Sequence, residues 1–263
     1  MKLIYILRSF FASIYFLIAT VVFGSTLIVA LAVIQSDWLP KKLAVKVRKY
    51  KTKIVDFISW IWGRTIQVAF NMRVQVKGEE NIPEGGCLFL FNHTSHFDIL
   101  TIYGQLKKSA RFGAKIELFK IPLFGQVLRS GGMLPIARAD REDVLKLYQD
   151  SIGRVRAGES FLLAAEGTRQ PSPGVGAKFK SGPFIFAISG QFPIVPVVLK
   201  GSTECLPKGQ LLACTQRWRY DISLRFLPPV STSGLTLNDR KWLQEDVREM
   251  MARAYEADKI EGP

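Results

Sequence analysis

Histidine is nearly absent from this chain. Its 263 residues hold two, His93 and His96, and both fall within Phe91-Asn92-His93-Thr94-Ser95-His96-Phe97-Asp98. Imidazole chemistry is therefore confined to one stretch. Cysteine is scarce as well: Cys87, Cys205 and Cys214 show neither close pairing nor zinc-ligand spacing. That excludes a disulfide framework and fits a reducing compartment. No Ser or Cys sits at a nucleophile elbow, so a covalent triad is not indicated. Charge is missing altogether from Ser9 to Ser36, and acidic residues are few overall, with 36 Lys plus Arg against 22 Asp plus Glu. The resulting net charge of +14 suits nucleic acid or an anionic membrane surface. Internal repeats and low-complexity segments are also lacking.

What is present around the histidines has the form of a strand-to-helix turn. Cys87 to Phe91 is a continuous apolar run after Gly85-Gly86, and Ile99, Leu100, Ile102 and Tyr103 recur at helical spacing. Residues five apart do not share a helix face, because neighbours on a helix are three or four apart. His93 and Asp98 can therefore meet only if His93 lies in the turn and Asp98 in the first helical turn, with Asn92, Thr94 or Ser95 supplying the N-cap. Asp98 would then accept one imidazole N–H and fix the tautomer, leaving the other nitrogen free to take a proton. Two alternatives stay open at this point. One is a purely structural His–Asp pair. The other is a metal bound by His93, His96 and Asp98, although no further His or nearby Cys exists to complete its shell.

The uncharged N-terminal run, with Phe10 to Ile34 as its core, is long enough to cross a bilayer as a helix. A cleaved signal peptide competes with that reading, but the run is too long for an ordinary signal. Lys41, Lys42, Lys46, Arg48, Lys49, Lys51 and Lys53 follow, and cations beside an apolar helix place that side in the cytoplasm. The segment Ile54 to Phe70 is apolar but carries Asp56, Arg64, Trp60 and Trp62. It reads as a helix at the membrane surface or packed on the first, an arrangement in which the two could form a hairpin that enters one leaflet.

From residue 71 onward strand and helix signals alternate. Strands are expected at 72–77, 87–91, near 110–114, at 133–137, 161–165, 194–199 and 222–226. Helices are expected after 95, near 123–130, over 140–156, after Lys180-Ser181-Gly182-Pro183 and from about 238. The pattern predicts an α/β domain with a mostly parallel sheet and flanking helices, preceded by the membrane-associated helical segment. Ligands in such sheets bind beyond the carboxyl ends of the strands. The turn after 87–91 and the turn Glu166-Gly167-Thr168-Arg169 would share that rim. Lys115, Arg129 and Arg138 are further candidate anion partners, and Ile194 to Val197 is apolar enough to line a groove for a chain.

Four blocks then resemble the glycerolipid acyltransferase family. The first is Asn92, His93 and Asp98. The second comprises Lys115, Glu117, Leu118, Pro122, Gly125, Arg129, Gly132, Ile136 and Arg138. Glu166 to Arg169 and Ile194 to Val197 are the third and fourth. Position 96 departs from the family, where Trp is frequent. The resemblance implies transfer of an acyl chain from acyl-CoA or acyl-ACP to the 2-hydroxyl of lysophosphatidic acid, without a covalent acyl-enzyme, a metal or an organic cofactor. It implies His93 as general base and Asp98 as its orienter. Lys115, Arg138, Glu166, Gly167, Thr168 and Arg169 would bind substrate. Residues 1–70 would anchor an acyltransferase domain, 71–263, to the cytoplasmic face of a membrane rich in anionic lipid, with no role for nucleic acid. Glycerol 3-phosphate or another lysophospholipid as acceptor, and a non-catalytic lipid-binding protein of the same fold, are the competing expectations.

Overall fold

A computed structural model describes residues 2–36, 50–137, 140–206 and 217–258. Arg138, Cys214 and the cations from Lys41 to Lys49 lie outside the described residues. The helices are α1 (Lys2–Gln35), α2 (Lys51–Ala69), α3 (Phe97–Gln105), α4 (Phe124–Ser130), α5 (Arg141–Arg156), α6 (Gly182–Gly190), α7 (Ser202–Cys205) and α8 (Arg240–Ala257). The strands are β1 (Met72–Lys77), β2 (Leu88–Phe91), β3 (Ala110–Lys115), β4 (Leu134–Ile136), β5 (Ser160–Ala164), β6 (Ile194–Lys200) and β7 (Tyr220–Phe226). They form one sheet in the order β1-β7-β6-β2-β5-β3-β4. All neighbours pair parallel except β6 with β7. The expected α/β class and mostly parallel sheet are thus found, with boundaries shifted by a residue or two.

The strand β2 sits between β5 and β6, and all four of its residues are buried. An uninterrupted Leu-Phe-Leu-Phe run fits that position, since a parallel strand covered on both faces has no polar side. Leu88 and Leu90 pack with Phe161, Leu163, Ile194 and Val198 against α5, α6 and α8. On the other face Phe89 and Phe91 pack with Leu162, Val195, Val197 and Ile102 of α3. Here one expectation fails. Ile194, Val195 and Val197 are fully buried in β6 and line no open groove, because a central strand is consumed by its own two cores.

The helices α1 and α2 share a core with the sheet domain. Ala12 and Ala19 of α1 join Ile66 and Phe70 of α2, Phe97 and Leu100 of α3, and Tyr220 and Ile222 of β7. Leu27, Leu31 and Ile34 continue the contact onto Val55 and Val127. The opposite face of α1 is apolar and exposed, including Leu3, Leu7, Phe11, Leu17, Ile18 and Val22. In α2, Gly63 brings the backbone close to α3: a Cβ there would stand 2.6 Å from the Gly104 amide nitrogen. Gln67 donates to the carbonyls of Leu100 and Thr101 at 2.9 and 3.2 Å.

The two charges that interrupt the α2 segment have different fates. Arg64 is exposed. Asp56 accepts from the guanidinium of Arg111 at 2.6 Å, and Arg111 also meets Glu159 at 3.1 Å while only 2% exposed. Asp56 therefore serves as an inward tie between α2 and β3. Arg111→Met would leave two partly exposed carboxylates without the guanidinium between them, though Glu159 keeps Arg154, and loss of such charge-assisted bonds costs about 1–3 kcal/mol. Thermal unfolding in detergent should show a clearly lowered midpoint for Arg111→Met. Asp56→Asn should be milder, because Arg111 keeps Glu159. An unchanged midpoint in Arg111→Met would show that this network does not hold α2 to the sheet.

Candidate active site

The turn after β2 is fixed by groups from three strand ends. Asn92 is fully buried and brackets β6: its amide donates to the Leu199 and Gly174 carbonyls, both at 3.0 Å, and its Oδ1 accepts from the Leu199 amide at 2.8 Å. From the β5 side, the amide of Ala165 donates to Phe91 and the amide of Gln170 donates to His93, at 2.9 and 2.7 Å. The His93 backbone N–H donates to Glu166 Oε2 at 3.1 Å. His93 is thus gripped through its main chain from both directions, so the ring is positioned by the turn itself.

The ring meets Asp98 as the spacing predicts, with Nδ1 and Oδ2 2.8 Å apart. Asp98 Oδ2 also accepts from the amides of Thr94 and Ser95 at 2.8 and 2.9 Å, and Oδ1 accepts from the Ser202 hydroxyl at 2.5 Å. Every near neighbour of this carboxylate is a donor, so Nδ1 of the neutral ring must carry the hydrogen and Nε2 must be the basic nitrogen. The His93 side chain remains 13% accessible, while that of Asp98 is fully enclosed. Phe91 holds the ring edge-to-face at 5.4 Å between centroids. The expected N-cap is not found. His96 occupies that position without a side-chain cap, and Ser95 Oγ accepts from the Phe97 amide at 3.2 Å. The reason is that Asp98 reaches back to the amides of the turn and leaves little for a forward cap to satisfy.

The remaining expected residues are disposed unequally. Glu166 is 3% exposed, and its second oxygen accepts from the Gly176 amide at 3.0 Å. Burial raises its pKa, and the amides of Gly176 and His93 work in the opposite direction. Its carboxylate therefore faces inward as a brace. Gly167 adopts φ +70°, and a Cβ there would stand 2.9 Å from Lys180 Cγ. Thr168 is exposed, and Arg169 is close enough to His96 to lower its pKa. Lys115 lies at the carboxyl end of β3, exposed and paired with Glu117 at 3.1 Å. Arg129 is used internally, donating to the Phe119 carbonyl at 2.5 Å. Ser202 and Thr203 escaped the sequence reading. Thr203 Oγ1 donates to Thr94 Oγ1 at 2.7 Å, alongside the Ser202–Asp98 bond. The signal was Gly201-Ser202-Thr203 at the end of a buried strand, but nothing in the sequence points it toward residue 98.

Comparison with known proteins accords with this geometry. Residues 73–200 match a family model described as Acyltransferase. A chloroplastic 1-acyl-sn-glycerol-3-phosphate acyltransferase of Brassica napus is 30% identical over 163 residues, covering 61% of this chain and 46% of that protein. The 1-acyl-sn-glycerol-3-phosphate acyltransferase of Saccharomyces cerevisiae is 29% identical over 199 residues, with 73% and 64% covered. The chain thus spans about half the length of the first of these relatives. The crystal structure of the 1-acyl-sn-glycerophosphate acyltransferase PlsC from Thermotoga maritima superposes with a TM-score of 0.75 at 26% identity, covering 99% of this chain and 100% of that one.

Two outcomes follow from the electrostatics of the turn. Glu166→Gln would set an amide NH2 against a backbone N–H, so turnover should fall about tenfold or more with apparent substrate affinities nearly unchanged. Unaltered turnover would refute the bracing role. The pKa of His96 is lowered to about 4, first by loss of surrounding water and then by Arg169 and His93, with Asp98 opposing. His96 is exposed at the surface of the turn, and the nearby Arg169 and His93 disfavour its charged form. A lowered value favours the neutral ring in the fold; that stability is present above the ordinary pKa and is lost as pH falls toward the lowered one. His96→Gln should therefore leave the acid limb of the rate profile in place above about pH 5. A displaced limb would make His96 the titrating base.

Proposed function

We propose that this chain transfers an acyl group from a thioester donor, acyl-CoA or acyl-ACP, to the sn-2 hydroxyl of 1-acylglycerol 3-phosphate, producing phosphatidic acid for phospholipid synthesis. The observation that carries the reading is the His93–Asp98 pair, with its basic nitrogen Nε2 on a ring still open to solvent, within the stretch that matches the acyltransferase family model. Nε2 takes the hydroxyl proton as the oxygen attacks the thioester carbonyl. The C–S bond then breaks, and the imidazolium returns the proton to the leaving thiolate. Asp98 keeps Nδ1–H in place and stabilises the charged ring. The names carried by the relatives favour lysophosphatidic acid over other acceptors.

Arg169 and Lys115 on the strand-end rim are suited to the acceptor phosphate, with Arg138 as the third cation of the same motif set. Gly167 and Thr168 shape the loop that presents Arg169. A small apolar pocket of about 50 Å³, with room for no more than the end of an acyl chain, lies between the N-terminal helices and the sheet domain, lined by Phe23, Leu27, Trp62, Phe112, Phe124 and Val127. Residues 1–70 anchor the domain on the cytoplasmic side. The helix α1 is long and apolar enough to cross a membrane, yet it is docked on the domain from Arg8 to Ile34. That favours a helix lying with its exposed face in one leaflet, because a perpendicular span would drag the charged domain into hydrocarbon.

The test is phosphatidic acid formation by purified protein with a panel of donors and acceptors. His93→Ala should lower turnover about 10²-fold or more while leaving the protein folded. Near-normal turnover would end the general-base assignment, and activity confined to glycerol 3-phosphate would replace the acceptor. Arg169→Lys should weaken acceptor use about 10- to 100-fold, because a point charge does not replace a guanidinium fork on phosphate. A rise in the donor's apparent constant alone would move Arg169 to the donor site.

A further inference from the structure

A second concavity opens on the face of the sheet opposite α1 and α2. It is a cleft of about 520 Å³ between α5 and α6, at the carboxyl ends of β3, β4 and β5. Its volume falls within the usual range for small-molecule sites, about 300–1,000 Å³. The floor is largely apolar, with Ile136, Val144, Tyr148, Leu163 and Ile185 among its residues. The mouth carries Arg141 and Lys180, both exposed and without an ion-pair partner among the described residues. Asp140 also lies there, but its carboxylate accepts from the Asp143 amide as the cap of α5. Two glycines pack directly against its lining. A Cβ on Gly113 would stand 2.5 Å from Leu163 Cδ2, and one on Gly182 would press Tyr148 at 3.2 Å.

The position of the cleft selects among ligands. Gly167 and Thr168 line it, and they follow directly on Glu166, which holds the His93 amide. The cleft therefore abuts the catalytic turn. The apolar pocket on the other face is walled by α1 and α2, which suits the lipid partner. What this cleft offers is an apolar trough ending in two cations, reached from the side without membrane helices. The water-soluble part of a thioester donor has that form: a slender chain of methylenes and amides with a phosphate at its far end. We propose that the α5–α6 cleft binds the phosphopantetheine arm of the donor, with Arg141 and Lys180 taking its phosphate. The arm is common to coenzyme A and to a carrier protein, so the cleft reads what the two donors share. The assignment rests on the acyl-transfer reading above.

The experiment compares wild-type protein with Arg141→Glu/Lys180→Glu, and with Val144→Trp, which fills the trough. An acidic residue in the first turn of α5 suits the helix, so the charge reversal should leave the fold intact; thermal unfolding checks this. Three donors are used: acyl-CoA, acyl-ACP and the acyl thioester of free 4′-phosphopantetheine. In both variants the apparent constant for each donor should rise about tenfold, with that for lysophosphatidic acid unchanged. Calorimetry with coenzyme A alone should show a parallel loss of affinity. If the wild type makes phosphatidic acid and the variants match it in donor constants, the cleft assignment falls and the activity stands. Loss confined to acyl-CoA would place the nucleotide there, and loss confined to acyl-ACP the carrier surface; either overturns the shared-arm assignment. A rise for lysophosphatidic acid alone would hand the cleft to the acceptor. If the wild type makes no phosphatidic acid from any donor, the acyl-transfer reading fails first and takes this one with it.

Discussion

A carboxylate sealed from water must be surrounded by donors or give up its charge. The donors that Asp98 gathers to meet that requirement determine much of the local structure. Two are amides of its own turn, which forces the chain from Thr94 to Phe97 to curl around it. One is the His93 ring, and one is the Ser202 hydroxyl, delivered by the end of β6. The same bonds that satisfy Asp98 therefore bring β2, α3 and β6 to one point. The imidazole tautomer follows without any further contact.

Glu166 repeats the arrangement from the other side. It too is a buried acid whose oxygens are met by backbone N–H groups, one of them belonging to His93. Two enclosed carboxylates thus flank a single residue, one acting on its ring and the other on its main chain. Fixed orientation before the reaction is worth more than attraction during it, because nothing then has to be reorganised at the barrier. The Gly176 amide that completes Glu166 explains why that glycine approaches so closely: a Cβ there would stand 2.6 Å from Glu166 Cγ.

Legibility from sequence followed the range of the interactions. The His93–Asp98 contact spans five residues and is governed by the geometry of one turn, so spacing alone predicted it. The elements of the sheet domain were legible because each is a local pattern: a buried Leu-Phe run, an acidic first turn in α5, a Gly-Pro start to α6. Glu166 was visible as a conspicuous residue at a strand end, but its inward direction was not, since partners at 93 and 176 are chosen by how β2 and β5 align. Ser202 and Thr203 lie more than a hundred residues from what they touch, and two small hydroxyls carry no periodicity. Arg111 was invisible for the same reason. Its partners Asp56 and Glu159 sit on opposite sides of it in the chain, and a burial of 2% is the last thing composition suggests for an arginine.

The placement of the N-terminal helices gains its meaning from the same geometry. The helix α2 is pressed against α3, glycine to glycine at Gly63 and Gly104, and Gln67 takes two carbonyls of that helix. Asp98 lies in the first turn of α3. A surface helix that merely tethered the domain could be joined by a flexible linker at no cost to chemistry. Here the element carrying the exposed apolar residues Phe57 and Trp60 is packed on the element carrying Asp98, which holds the His93 ring. If α1 and α2 rest in a lipid surface as proposed, rigid packing of this kind ties the height of His93 above that surface to their depth in it. For an acceptor whose reactive hydroxyl lies at the headgroup level, that height decides whether the hydroxyl reaches Nε2 without the lipid leaving the bilayer. Under the proposed function α1 and α2 would then be part of the positioning apparatus, with Asp56, Gln67 and Gly63 holding α2 to the domain.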